Sequence, residues 1–387
     1  MSKKKIKIGL IIRETDHDGS INYFNNLISS LKNFKQVEII IFTDSNSKLN
    51  FLDKGCKIIR SHIFNRGSIY FFLRKILTLI YKDYILYSFL KKKKISILSH
   101  ISFQDLLWKT CDIKSYTWIP DIQHKYFPKY FSYKELLLRE IRVRRQISKT
   151  NGIFVGSYSV SRELKKFYGK EINTHVLYAY PNLKKLNLDV SLKNKKTLRE
   201  KYKLPQNWFH FSGQFWEHKN HFFLLRVLRE ISKLNKDNIN IVCTGNFNDP
   251  KNLDYKFEIL KYIRSNNLSK NFIILGRIKY KDVINIMSYS ISYLSPSLYE
   301  GWETGVTEAT DLGKNKILSN INSHLESVDK QTQFFSNNKK SLMKVLISSN
   351  KNFNANQEIK KIKKNILRLM KNDTRFARLF LRSLNIL

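Results

Sequence analysis

Cysteine, proline and glycine are all scarce, with 3, 6 and 13 residues in a chain of 387. Cys56, Cys111 and Cys243 lie far apart, which excludes a disulfide framework and zinc-finger spacing and fits a reducing cytoplasm. No stretch carries the glycines of a Walker phosphate loop or of a dinucleotide-binding fingerprint. No uninterrupted run of ~18 apolar residues occurs, so no membrane span is expected. The opening MSKKKIKIGLIIRE has an apolar run broken by Lys7 and ended by Arg13; it reads as a first strand, not a secretion signal. Acid is the deepest deficit: 31 Asp and Glu stand against 70 Lys and Arg, a net charge of +39.

A surplus of that size draws polyanions: nucleic acid, an anionic membrane surface or phosphorylated substrates. A Lys-, Asn- and Ile-rich composition displayed on solvated faces explains it equally well. The length predicts two domains, and 42% hydrophobic residues can fill two cores.

Short apolar runs alternate with helical patterns. Strands are expected at 6–12, 37–42, 95–99, 116–119, 153–156 and 175–179, then at 209–212, 239–244, 272–275, 292–295 and 316–319. Segments of helical period, such as 21–31 and 222–231, lie between them. This alternation predicts an α/β protein with parallel sheets covered on both faces. The series restarts after the polar stretch 182–203. The expected organisation is two doubly wound Rossmann-like domains, 1–185 and 186–365, facing a cleft, with a C-terminal amphipathic helix, 366–387, docking back.

Two segments combine apolar stripes with cations. In 68–90 the stripe is Ile69, Phe72, Leu73, Ile76, Leu77 and Ile80, flanked by Arg74, Lys75 and Lys82. The favoured reading packs this stripe on the first sheet; the alternative lays it on an anionic bilayer. In 373–387, Phe376, Leu379, Phe380, Leu384 and Leu387 share a face beside Arg375, Arg378 and Arg382, the pattern of a docking helix.

The densest chemistry lies in SPSLYEGWETGVTEATDLG, 295–313. Glu300 and Glu308 stand eight apart around a turn containing Gly301 and Gly305. An acid after a strand, a turn with close backbone approach and a helix N-terminus form a layout for a ligand bearing an anion and hydroxyl groups. In FHFSGQFWEHKNH, 209–221, Lys219 follows a strand end and precedes a helix start, a combination that suits a diphosphate. His218 and His221 have no evident third ligand, so no metal is expected. In YTWIPDIQHKYFP, 116–128, a strand delivers Asp121, Gln123 and His124 to its carboxyl end, where His124 can bond a sugar hydroxyl. Read by itself, His124 is better explained by an ordinary loop histidine with no ligand role. Gly19, alone in RETDHDGSI, 13–21, marks a turn where a ligand can approach.

Together these segments resemble the retaining, nucleotide-sugar-dependent glycosyltransferases of the GT-B fold, the "glycosyl transferases group 1" class. PSLYEGWETGVTEATDLG and the following strand are similar to that family's Glu-to-Glu signature. FSGQFWEHKNH looks like its phosphate-binding lysine loop. WIPDIQHKYFPKYF resembles the first-domain histidine segment of a bacterial subgroup in surface-polysaccharide assembly. The resemblance runs in order from Gly9 to about Glu326. It implies that Glu308 binds ribose hydroxyls, with Gly305, Val306 and Thr307 beside the nucleotide and phosphate. It implies Lys219 on the donor diphosphate, aided by Gln214, where the family commonly has Arg. Glu300, Glu303, Thr304 and His124 are implied to face the donor sugar, and Gly19 to lie in the first-domain loop. Glu303 and Thr304 depart from the family's usual Gly-Leu. No cofactor is implied beyond the nucleotide-diphosphate sugar as co-substrate. Implied partners are a glycan or polyprenyl-diphosphate-linked acceptor and an anionic membrane surface, with the enzyme cytoplasmic or peripheral on the inner face of the plasma membrane. The rival readings are a sugar-nucleotide enzyme of the same fold that does not transfer, and a basic nucleic-acid-binding protein. The last lacks any helix-turn-helix, zinc or RNA-binding signature.

Overall fold

The computed structural model describes residues 5–13, 18–47, 56–80, 82–234, 238–247, 253–370 and 374–387. It divides into two compact units, Met1–Tyr180 with Asp373–Leu387, and Pro181–Asn372. In the first unit, strands β1 (Ile6–Ile11), β2 (Val37–Thr43), β3 (Lys57–Arg60), β4 (Ile97–Ile101), β5 (Lys114–Trp118), β6 (Gly152–Val155) and β7 (Thr174–Val176) form a parallel sheet ordered 3-2-1-4-5-6-7. The second unit contains β8 (Phe209–Ser212), β9 (Ile241–Thr244), β10 (Phe272–Gly276), β11 (Tyr293–Ser295), β12 (Lys316–Ser319) and β13 (Thr332–Phe335), parallel and ordered 10-9-8-11-12-13. Both orders are doubly wound. Strand order reverses between β1 and β4 and between β8 and β11, and loops leaving those strands diverge there to open a crevice.

The central strands are near-continuous runs of buried residues, as sheets covered on both faces require. Eleven of the thirteen described strands are legible as apolar runs, the central ones for that reason and the edge strands β7 and β10 despite mostly intermediate burial. The two that are not, β3 and β13, are edge strands with mixed burial, and KIIR and TQFF are short for a periodicity signal.

Several boundaries differ from expectation. Residues 182–203 do not form a polar linker. Leu183, Val190 and Leu198 enter a core of the second unit with Trp208, and 192–202 are helical. The division therefore falls at 180/181 rather than 185/186. The segment 366–387 is not one helix. Helix Ala355–Met370 ends in the second unit, and helix Arg375–Ser383 packs Phe376, Phe380 and Leu381 into the core of the first unit with Leu10, Phe24 and Phe154. Residues 68–90 form two helices, Ile69–Ile80 and Tyr84–Lys92, the second capped by Asp83, whose carboxylate accepts from the Leu86 N–H. The stripe of the first is not buried as a whole: Ile69, Phe72 and Leu73 are exposed and Ile76 and Leu77 half-buried, while Phe71, Arg74 and Thr78 are buried. No described helix is long and apolar enough to cross a membrane.

Candidate functional site

In the second unit β8 ends at Ser212 and β11 at Ser295, so the loops after them flank the switch point. The β8 loop turns through Gln214, which is half-buried, and a short 3-10 turn, Glu217–Lys219. Asn220 adopts a left-handed conformation, φ 62°, and donates from its side chain to the Pro296 carbonyl at 3.1 Å; the Leu298 N–H donates to the His218 carbonyl at 2.8 Å. These bonds tie the β8 loop to the β11 loop. Across the tie Lys219 Nζ lies 2.6 Å from Glu300 Oε1, with both side chains largely shielded from water.

Burial works against charge on Lys219, but Glu300 and Glu303 outweigh it and raise its pKa. Burial raises the pKa of Glu300, and Lys219 offsets this only in part. The site thus holds a firmly cationic lysine beside a carboxylate that is costly to keep ionised. An ion pair of that kind can exchange: a diphosphate offers the lysine more charge than Glu300 does.

Glu303 is anchored by its side chain. Its Oε1 accepts from the Tyr293 hydroxyl at 2.5 Å, and its Oε2 accepts from Ser295 Oγ at 2.6 Å and His324 Nε2 at 2.9 Å. Burial would raise its pKa, but Lys219, His324 and Ser295 hold it at about 2. His324 Nδ1 faces the Ser319 carbonyl at 3.0 Å. Both oxygens of the Glu303 side chain are spent on internal partners from β11 and from the helix after β12. Its work is to fix the start of helix Thr304–Leu312, whose Val306 N–H donates to the Glu303 carbonyl at 3.1 Å. Val306 therefore does not offer its N–H outward; the first-turn groups at Thr304 and Gly305 come before it. Gly305 is required by space. A Cβ there would stand 2.1 Å from the Tyr293 hydroxyl and 3.1 Å from Ser212 Oγ, so only glycine lets this helix start approach the ends of β8 and β11.

One turn further along, Glu308 Oε1 accepts from the Tyr280 hydroxyl at 2.7 Å. Burial lifts its pKa from 4.5 to about 7; the Tyr280 bond opposes this, while Glu303 and Asp311 add to it. Its neighbour Thr307 has a buried hydroxyl without a hydrogen-bond partner among the described residues. His221 is a packing group, stacked at 4.0 Å on Phe215. His218 is held neutral by burial and by Lys219, its pKa lowered to about 3.

In the first unit, His124 sits in a short turn, Gln123–Lys125, beyond the carboxyl end of β5. Tyr168 donates its hydroxyl proton to Glu140 at 2.9 Å, and so accepts from His124 Nε2 at 3.2 Å. Burial, with Arg139 and Lys125, lowers the pKa of His124. The neutral ring leaves Nδ1 as a lone-pair acceptor without a partner among the described residues. Such a nitrogen can take a hydrogen bond from a hydroxyl group. Gly19 lies in the first turn of helix Asp18–Leu31; its surroundings, with residues 14–17, lie outside the described residues.

Tyr280, Tyr293 and His324 escaped the sequence reading. Each stands well outside the 300–308 segment or inside a strand, and only folding brings it to Glu308 or Glu303. The polar histidine in INSHLE, closely following the β12 pattern, was the one local signal.

Residues 194–373 match the model of the family described as glycosyl transferases group 1. That segment, a little under half of the chain, is where the likeness to the glycosyl transferases group 1 family lies. It is 29% identical over 139 residues to a capsular polysaccharide biosynthesis glycosyltransferase, CapH, of Staphylococcus aureus, covering 35% of this chain and 38% of that protein. It is 31% identical over 134 residues to the UDP-Gal:alpha-D-GlcNAc-diphosphoundecaprenol alpha-1,3-galactosyltransferase of Escherichia coli, covering 33% of each. The aligned regions thus span about a third of these curated relatives. Among solved structures, Anabaena Alr3699/HepE in complex with UDP and glucose superposes with a TM-score of 0.68 at 14% identity, over 99% of this chain and 100% of that one. The fold is GT-B. Lys219, Glu300, Glu303 and Glu308 all lie inside the family segment; His124 and Gly19 lie outside it.

Proposed function

We propose that this chain is a glycosyltransferase that moves a sugar from a nucleoside-diphosphate sugar to a hydroxyl of a glycan or a polyprenyl-diphosphate-linked acceptor, in the assembly of a bacterial surface polysaccharide. The observation that carries this reading is the Lys219–Glu300 pair across the β8/β11 switch point, with Glu308 one turn into the adjoining helix, inside the family segment. The names of the two relatives supply the polysaccharide context and the lipid-diphosphate acceptor; the Anabaena complex supplies a uridine nucleotide as the kind of donor to try first.

In this reading the donor diphosphate takes Lys219 from Glu300, with Gln214 and the helix start at Thr304 and Gly305 beside it. The freed Glu300 accepts a hydroxyl of the transferred sugar. Glu308 accepts the ribose hydroxyls in place of Tyr280, and Thr307 lies next to it. Departure of the diphosphate breaks the bond from the sugar C1 to oxygen and leaves negative charge where Lys219 and the helix start stabilise it. A phosphate oxygen takes the proton of the acceptor hydroxyl while that oxygen bonds to C1 on the same face. Configuration is retained, neither glutamate becomes covalently attached, and the lysine and backbone N–H groups carry the charge compensation without a metal. Nucleotide sugars are cytoplasmic metabolites, so the reaction is placed on the inner side of the plasma membrane.

The test is release of nucleoside diphosphate from a panel of sugar nucleotides, with and without a lipid-diphosphate disaccharide acceptor. Release that depends on the acceptor supports transfer. Equal release without acceptor, or epimerised donor as the only product, would overturn it. Mass spectrometry that found a sugar attached to Glu300 would overturn the same-face mechanism while leaving the transferase assignment standing.

A further inference from the structure

In the first unit the turn Gln123–Lys125 and two helices meet at one chain of hydrogen bonds. Helix Tyr133–Lys149 supplies Glu140, and helix Tyr158–Tyr168 ends on Tyr168. Gly169, at φ 126°, stops that helix, its N–H donating to the Lys165 carbonyl. Glu140 Oε1 accepts from Arg144 Nε at 2.7 Å. Its Oε2 accepts from Lys125 Nζ at 2.7 Å and from the Tyr168 hydroxyl at 2.9 Å. The same two cations flank the phenol, Lys125 at 5.0 Å and Arg144 at 5.5 Å from its ring centre. Burial works to raise the pKa of Glu140, but Lys125, Tyr168 and Arg144 bring it below its ordinary value.

The direction of every proton follows. A carboxylate only accepts, so Tyr168 must donate to Glu140. A phenol has one proton; once it is spent, the oxygen offers only lone pairs to His124 Nε2, 3.2 Å away. Nε2 must then carry the ring hydrogen. Nδ1 keeps its lone pair, buried and without a partner among the described residues. A free imidazole exchanges its proton between the two nitrogens and offers a donor or an acceptor at either end. Here the bond at one nitrogen fixes what the other presents. His124 is only 5% exposed, and a buried polar atom left unmet is costly and calls for a reason.

We propose that Tyr168 and Glu140 are positioning residues that lock His124 in the Nε2–H form, so that Nδ1 reads a ligand group that donates a hydrogen, a sugar hydroxyl. A phosphate or carbonyl oxygen, which only accepts, would meet a lone pair there and is refused. With the proton on Nδ1 the preference would invert. Glu140 therefore sets, through Tyr168, which chemistry His124 can recognise. The sugar hydroxyl rests on the transferase reading; the proton lock does not, since it is built from residues of this unit alone.

The experiment is nitrogen NMR of the full chain, isotope-labelled at its histidine nitrogens, with His124→Ala identifying the His124 signals. Ligand-free wild type should show a protonated Nε2 and a bare Nδ1. Tyr168→Phe removes the acceptor, and a second population with the proton on Nδ1 should appear. Glu140→Gln should bring the same population, because an amide can donate to Tyr168 and turn its proton toward His124; it carries the test if Tyr168→Phe does not fold. A wild-type ring protonated on Nδ1, or variants that keep the wild-type pattern, would overturn the lock. The second measurement is acceptor-dependent turnover of sugar nucleotides. Tyr168→Phe should lower kcat/KM about tenfold, the loss of one hydrogen bond. In a His124→Ala background the same change should cost less than about twofold more. Equal losses in both backgrounds, or no loss in either, would make Tyr168 a structural residue and overturn its part in recognition. If wild type turns over no sugar nucleotide, the transferase reading falls and the sugar hydroxyl with it, while the nitrogen spectra still decide the lock.

Discussion

Each unit places an ion pair across its switch point, and the two pairs are built differently. Beyond β1 and β4, Arg13 binds Asp105 through two parallel bonds of 2.8 and 2.7 Å. Arg74 joins the same carboxylate, and Asp83 takes the other side of Arg74. Burial would raise the pKa of Asp105, but the two guanidiniums outweigh it and hold the carboxyl at about 2. Two arginines and two aspartates neutralise one another in a rigid, dry network. Beyond β8 and β11 a single lysine meets Glu300 at one contact, and Glu300 is raised rather than lowered. Arginine's planar fork locks a carboxylate, whereas lysine's ammonium is a compact charge on a flexible stem that can change partners. The same topology has been given a structural clamp in one unit and an exchangeable pair in the other.

Four substitutions sharpen or break that contrast. The largest effect should come from Arg74→Ala, which strands Asp83 and leaves Asp105 to Arg13. It should cost ~3–5 kcal/mol of stability, read by denaturant unfolding, and leave nucleotide binding intact in whatever fraction folds. A loss below ~1 kcal/mol would mean the network is not a clamp. Lys219→Ala should show the opposite pattern. It should lower kcat/KM by the equivalent of ~2–4 kcal/mol with a smaller loss of stability than Arg74→Ala, because Glu300 can take a proton. Near-normal turnover would remove Lys219 from the site. Gly305→Ala forces a Cβ against the Tyr293 hydroxyl and should cost ~1–3 kcal/mol, visible as a lowered Tm. An unchanged Tm would show that the helix start shifts freely.

The smallest effect is a pH dependence. The carboxyl of Glu308 is lifted from 4.5 to about 7. Between those values the folded chain holds a proton that the unfolded chain has shed, so stability falls as pH rises through that window. A nucleoside that needs the carboxylate should gain affinity over the same rise, by up to about tenfold per pH unit below 7, and level off above it. Calorimetric titration of a uridine nucleotide should show this slope in wild type and none in Glu308→Gln. A flat wild-type profile would take Glu308 away from the ribose.

Much of this was readable in advance where the relevant signal is local. Central strands bury both faces, so their apolar runs stand out in the sequence. Lys219, Glu300, Gly305 and Glu308 lie in short segments at strand ends, where a parallel sheet presents side chains to a ligand. Edge strands β3 and β13 bury only part of their surface and left no comparable pattern, whereas the part-buried edges β7 and β10 did. The anchoring of Glu303 was not legible because its neighbours in sequence are turn and helix residues, while its partners Tyr293, Ser295 and His324 come from elements joined only by packing.

Helix Ile69–Ile80 marks the limit most clearly. Its periodicity fixed that one face is apolar, because 3.6 residues per turn sort the side chains whatever surrounds them. Which face turns inward was decided by Arg74 finding Asp83 and Asp105, contacts over nine and thirty-one residues of chain. By itself the sequence determined two doubly wound parallel sheets and the lysine and glutamates at a strand-end site. Only the tertiary structure decided which charges are locked inside, which remain free to exchange, and which apolar face is left outside, since desolvation and pairing depend on neighbours that chain order does not supply.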